Sequence, residues 1–255
     1  MKKIAGVLMV VLLIFSCNVN RNESIHSIKS DLEQENLKGK VAKIQKVYHQ
    51  VNSSTCPAAG CADINKIMSF YNEDGNLIEK IGFNENGDTA VVSRFKYDRQ
   101  SKCIGIDKYS KNATAGKEKN IYEGNLIKEV KVYNEFNELV TTCQYEYSGN
   151  YISSGKICDN HGDIISSFNN FFLNGQLDSL VEHDNNGQPV TISKYYRNQD
   201  QDVIASTLLY PKSQEAFKLI YEYEYDSVGN WIKQTQKIDG DIVQIVIRNI
   251  EYVNN

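Results

Sequence analysis

The sequence predicts an all-β protein: an antiparallel β-hairpin repeat array, a meander or solenoid-like twisted sheet with about 25 residues per two-strand repeat. Two observations carry this. Phe217, Leu219, Tyr221, Tyr223 and Tyr225 alternate with Lys218, Ile220, Glu222, Glu224 and Asp226. That period of two gives a strand one aromatic and one mostly charged face. Asp226 to Asn230 (DSVGN) then supplies turn chemistry, because Asp bonds its own backbone two residues on and Gly accepts positive φ. Trp231 and Ile232 open the return strand. The second observation is that this unit recurs. Tyr71, Tyr97, Tyr122, Tyr147, Phe172, Tyr196 and Tyr225 each lead into such a turn, at steps of 26, 25, 25, 25, 24 and 29 residues. A second set of turns, after Phe83, Tyr109, Tyr133, Cys158, His183, Tyr210 and Ile238, lies between them.

The YxYDxxGN pattern at Tyr223, Tyr225, Asp226, Gly229 and Asn230 resembles the YD-type repeats of RHS proteins, most closely the short lipoprotein versions common in Bacteroidota. Leu37-Lys38-Gly39-Lys40-Val41 resembles the start of that domain, so the resemblance covers roughly 37–255. It implies a repeat scaffold of a kind that serves in many settings. The repeats are too few for the shell of the large toxin-encasing members.

Taken in order, residues 1–17 read as a lipoprotein signal peptide. Lys2 and Lys3 precede the apolar run Ile4 to Phe15, which is short for a membrane span and suits a signal core. Ile14-Phe15-Ser16-Cys17 resembles a lipobox, which implies lipidation at Cys17 and an extracytoplasmic, membrane-anchored chain, with the outer membrane as the expected site. Residues 18–36 form a polar tether in which Ser30 or Asp31 is placed to cap a short helix. Residues 37–255 form one YD-type β-hairpin repeat domain. Its first segment, Val41 to Val51, reads as a strand on its β-branched and aromatic content.

Cys56 and Cys61 sit in the irregular stretch Asn52 to Asp63. A local disulfide suits an oxidising compartment, and free or otherwise paired thiols are the alternative. A metal site is disfavoured, because zinc wants four ligands and no His or Cys pair completes them. Cys103, Cys143 and Cys158 fall on strand positions, as buried small apolar residues would.

Successive turns of a meander alternate between two edges. Three longer insertions, 52–63, 110–116 and 211–216, fall on one edge, either as one rim of an extended contact surface or as loops that drift in length at a sheet edge. The aromatic row at Tyr221, Tyr223 and Tyr225 is either covered core or an exposed interaction platform.

Chemistry-bearing patterns are sparse. His26, His49, His161 and His183 make no ligand spacing with Cys or acids, and the many carboxylates stand in wet Asx turns. Neither catalysis, nor a metal, nor a cofactor is expected. Removal of Lys2 and Lys3 takes the formal charge from −4 to −6 with no basic stripe, which disfavours nucleic acid. The expected function is a non-enzymatic envelope lipoprotein scaffold that binds a protein through its sheet face or loop edge. A glycan-binding platform at Trp231, or an immunity- or antitoxin-like repeat protein, is the alternative.

Overall fold

The computed structural model describes residues 30–51, 64–110 and 113–253. Among the described residues, one short helix, α1 (Asp31–Gln34), precedes sixteen strands. These are β1 (Val41–Gln50), β2 (Ile64–Tyr71), β3 (Leu77–Asn84), β4 (Thr89–Tyr97), β5 (Cys103–Ser110), β6 (Ala113–Glu123), β7 (Leu126–Tyr133), β8 (Leu139–Ser148), β9 (Tyr151–Asp159), β10 (Ile164–Leu173), β11 (Gln176–His183), β12 (Pro189–Arg197), β13 (Val203–Tyr210), β14 (Glu215–Tyr225), β15 (Trp231–Ile238) and β16 (Asp241–Tyr252). Each strand pairs with its neighbours in sequence, and β1 also pairs with β16.

The all-β hairpin meander is therefore as the sequence predicts, but the array is not an open twisted sheet or solenoid. It closes into a barrel. Closure is made by an antiparallel ladder from Val41↔Tyr252 to Gln50↔Gln244. An open array would leave two strand edges unpaired, and closure removes both.

The repeat supplies the curl that closure requires. The ladder slips by one residue at Phe70/Tyr71, Ile121/Tyr122, Glu146/Tyr147, Phe171/Phe172 and Tyr196/Arg197. Five of the seven repeat anchors thus stand at β-bulges, which bend a strand and raise its twist. Tyr122 and Tyr147 also reach back one hairpin. Their hydroxyls donate to the carbonyls of Cys103 (3.0 Å) and Ile127 (2.7 Å).

The turns divide into two chemistries. In the five-residue set, an Asp or Asn accepts backbone N–H groups two or four residues on, as at Asn72, Asp98, Asn134, Asp159, Asp184 and Asp226. The residue three after it takes positive φ, usually Gly but also Ser101, Asn137 and Gln201. In the two-residue set, Asn174-Gly175 and Asp239-Gly240 both have positive φ, the mark of a type I′ hairpin turn. Two expected insertions collapse into this pattern. Ser110 ends β5 and residues 113–116 belong to β6, with Ser110 paired to Ala113. Residues 211–214 form a tight turn before β14 begins at Glu215. The third insertion, 52–63, lies outside the described residues.

The chain divides into two compact units. The first contains α1, β1–β3, β15, β16 and the adjoining ends of β4 and β14. Its core is Leu32, Val41, Ile44 and Tyr71, with Leu37, Leu77, Ile250 and Tyr252 packed against it. The second spans Ser93–Tyr221. Its buried residues include Val130, Cys143, Tyr145, Ile157, Phe168 and Leu180. Phe168 lies over Gly155, where a Cβ would meet its ring at 2.5 Å. Cys143 and Cys158 are buried free thiols, and Cys103 is half-buried.

Candidate functional site

The first unit gathers charged side chains on its inner face, and the segment before β1 completes the group. Ser30 caps α1 through a reciprocal capping box with Glu33. The helix stops after one turn because Asn36 adopts positive φ (55°), and the N–H groups of Asn36 and Leu37 donate to the carbonyls of Glu33 and Leu32. This is a Schellman closure, and it turns the chain back toward β1. The helix docks on the turn after β2. Leu32 N–H donates to Gly75 O (3.1 Å), and Leu77 N–H donates to Asp31 Oδ2 (2.7 Å). Farther along, Asn230 holds Lys38 by both backbone groups, at 2.8 Å each.

This docking puts Glu35, at the helix C-cap, beside β1 and β16. Lys46 and Arg248 are direct cross-strand partners, and like charges so placed repel. The Glu35 carboxylate stands 3.4 Å from Lys46 Nζ and 3.4 Å from an Arg248 guanidinium nitrogen. Tyr71 donates its hydroxyl to the same carboxylate at 3.4 Å. Lys80 on β3 acts on Glu35 through space. The Arg248 guanidinium lies 3.6 Å from the centroid of Trp231, and the Tyr223 ring stands 5.9 Å from it, tilted by 55°.

The electrostatics of the group are lopsided. Burial pushes the Glu35 carboxyl up, but Lys46, Arg248 and Lys80 together hold it below the ordinary carboxylate range. Burial draws Lys46 down to about 8, because its one carboxylate neighbour is opposed by the charges of Arg248 and Lys80. Burial also lowers Lys80 against the pull of Glu35. Three cations thus act on the one carboxylate of Glu35.

The opposite, outer face is charged and wet. In the first unit, Lys43–Glu251, Lys233–Glu224 and Lys237–Glu222 are ion pairs at 2.6 Å with exposed carboxylates. In the second unit, a mid-strand row on the outer face reads Ile121, Glu129, Gln144, Lys156 and Ser167 across β6 to β10. On the inner face of the second unit, Lys108 pairs with Glu118.

The residues singled out in sequence are scattered over this frame. Tyr71 is core and touches Glu35. Tyr97 ends β4. Tyr122 and Tyr147 make the carbonyl contacts described above, and Phe172 packs on Tyr151 at 4.8 Å. Tyr196 and Tyr225 are partly exposed. Trp231 is half-buried, with one neighbour fixed as Arg248. Cys17, Cys56 and Cys61 lie outside the described residues.

Glu35, Lys46, Lys80 and Arg248 escape a reading by motif, because the partners are up to 213 residues apart. A local signal existed all the same. Arg248 interrupts the apolar stripe Val246, Ile250, Tyr252, and Lys46 interrupts Ile44 and Tyr48.

A family model described as "Uncharacterised protein" matches residues 63–206, more than half of the chain. The chain belongs to that family. No curated protein matches it. Among solved structures, the family member is similar to a porin-like protein from Bacteroides uniformis, with TM-score 0.54 and 11% identity over 84% of this chain and 99% of that one. It is also similar to a porin-like protein from Bacteroides vulgatus, with TM-score 0.43 and 11% identity over 85% and 100% of the two chains. The first likeness shows a shared fold. No helix among the described residues is long and apolar enough to cross a membrane. Nor do those residues contain a cluster of three or more His, Cys, Asp or Glu side chains fit to hold a metal ion.

Proposed function

We propose that this family member is a non-enzymatic barrel of the cell envelope, held at the membrane by lipid on Cys17 rather than by its strands. The porin-like fold supports an envelope location. Strand length alone would permit a spanning barrel, since about 9–11 tilted residues cross a bilayer and these strands have 8 to 12. The observation that carries the reading is the outer face. A lipid-facing barrel wall is an apolar band, and a Lys or Arg at its middle costs about 2–4 kcal/mol. Here Glu129 and Lys156 stand in the mid-strand row, and three Lys–Glu pairs stand on the outer face of the first unit. Such a wall is suited to water.

The partner in this reading is a protein. It would meet the turns and outer face of the second unit, where Phe136 is 75% exposed at the tip of the 134–138 turn and Leu173 is 62% exposed. The glycan alternative at Trp231 has less room, since Arg248 occupies one face of that ring.

Cys17→Ser in the full chain tests the anchoring. The export signal is retained and the lipid site is lost. The variant is expected to leave the membrane pellet for the detergent-free soluble fraction. Retention in the membrane through alkaline carbonate extraction would mean that the strands themselves are embedded.

A further inference from the structure

The two turn edges of the first unit differ in chemistry. We propose that the edge carrying α1 lies on a lipid bilayer, with Tyr225, Val228 and Val253 at headgroup level and Lys38 and Lys40 against lipid phosphates. The inference rests on the Cys17 anchor proposed above and adds to it a contact face and an orientation.

The first argument is where the chain enters. Ser30 and α1 stand at the edge of turns 72–76 and 226–230, because Leu32 N–H donates to Gly75 O and Asn230 clasps Lys38. Ser30 follows Cys17 by 13 positions, a span of at most about 45 Å. With this edge toward the bilayer, the whole span serves to reach the lipid. With the opposite edge toward it, the same span would also have to run down the wall, up to about 33 Å for the ten residues of β1.

The second is the side chains at that edge. Tyr225, Val228 and Val253 are exposed, and the last two flank the entering segment. Val253 N–H donates to Lys40 O (2.9 Å). A Cβ on Gly39 would touch both Val228 Cγ1 and the Tyr252 ring at 3.5 Å. Lys38 and Lys40 are exposed on either side of Gly39. The acid of the turn, Asp226, has its donors within the protein, from the Tyr252 hydroxyl and the N–H groups of Val228, Gly229 and Asn230. Tyr and Lys beside small apolar side chains are the mixture that settles at headgroup level. The exposed acids Glu33, Glu73 and Asp74 stand in α1 and in the turn it docks on. That turn joins β2 to β3, across β1 from the patch.

The third is the contrast with the opposite edge of the unit. Turns 84–88 and 238–241 expose Glu85, Asp88, Asp239 and Asp241 and contain no lysine. The exposed apolar residue there is Val51, after β1. Anionic headgroups attract lysines and repel carboxylates, so they favour the first edge over this one.

Trp231, the single tryptophan of the chain, opens β15 directly after the 226–230 turn and reports on the proposed contact. Full-length protein, expressed with its own leader, is reconstituted into phosphatidylcholine–phosphatidylglycerol vesicles with and without a nitroxide on the lipid headgroup. A second chain, Trp231→Phe with Thr89→Trp, moves the reporter to the opposite edge, where Thr89 begins β4. The expected result is nitroxide quenching of Trp231 several-fold stronger than that of the reporter at position 89. Val228→Asp with Lys38→Glu and Lys40→Glu, checked for its fold by circular dichroism, should drop the quenching of Trp231 to the level at position 89. Equal quenching at the two positions, as a spanning barrel would give, stronger quenching at position 89, or no loss in the triple variant would overturn the proposal. Flotation of the same samples in a density gradient separates it from the anchor. Protein that fails to float refutes the Cys17 anchor and this inference with it. Floating protein with Trp231 unquenched refutes this inference alone.

Discussion

Replacing Glu35 with Ala is expected to lower stability by about 3 kcal/mol, the scale of removing one partner from a buried ion group. The carboxylate is the group that lets Lys46 and Arg248 stand opposite each other on the ladder that closes the barrel. Without it two buried cations repel across the β1–β16 junction. Urea denaturation at neutral pH measures the effect, and an unchanged midpoint would contradict it. The pH dependence follows from the sign of the shift. The Glu35 carboxyl is lowered in the folded protein from its ordinary 4.5. Its contribution is therefore fully present above that value and is lost as pH falls through the lower, folded value. In acid below about 4 the gap between wild type and Glu35→Ala should shrink, and at pH 7 it should be at its widest.

Gly116→Ala is expected to be comparably damaging, by about 3 kcal/mol. Gly116 has φ of +143°, a conformation that residues with a Cβ rarely adopt, and a Cβ there would collide with the backbone carbonyl of Tyr133. A flexible side chain could swing aside, but a carbonyl held in the β6–β7 ladder cannot. Gly87 is the control. It also has positive φ, 82°, but no atom lies within 4 Å of the added Cβ. Gly87→Ala should cost about 1 kcal/mol, the price of the left-handed backbone alone. Thermal unfolding of the two variants separates close approach from backbone strain. Equal losses would show that the Tyr133 contact relaxes.

Much of this fold can be read from the sequence because it is local. Alternation at Phe217 to Asp226 marks a strand, and Asp226 to Asn230 marks a turn whose Asx bonds are the ones found. The spacing of the anchors marks a repeat. What the sequence does not carry is the curvature. Each bulge is a one-residue slip against a neighbouring strand, and a slip cannot be read from one strand alone. Summed around sixteen strands, such slips turn an expected open sheet into a closed one. The inner cluster is harder to read for a related reason. Glu35 stands in a polar stretch that reads as tether, and its partners Lys46 and Arg248 become neighbours only once β1 meets β16. Charged residues at inner positions of otherwise apolar stripes, Arg248 between Val246 and Ile250, were the available local clue.

The most direct test of the central claim, a membrane-anchored barrel whose outer wall faces water, is solvent accessibility at Thr235. This residue lies between Lys233 and Lys237 on β15, on the outer face. A spin label is placed there in full-length protein reconstituted into vesicles, with Cys17 lipidated and the other cysteines replaced. Electron paramagnetic resonance then compares collisions with a water-soluble nickel chelate and with oxygen dissolved in lipid. The account predicts that the nickel chelate dominates. Dominance of oxygen would place β15 against the bilayer and contradict it.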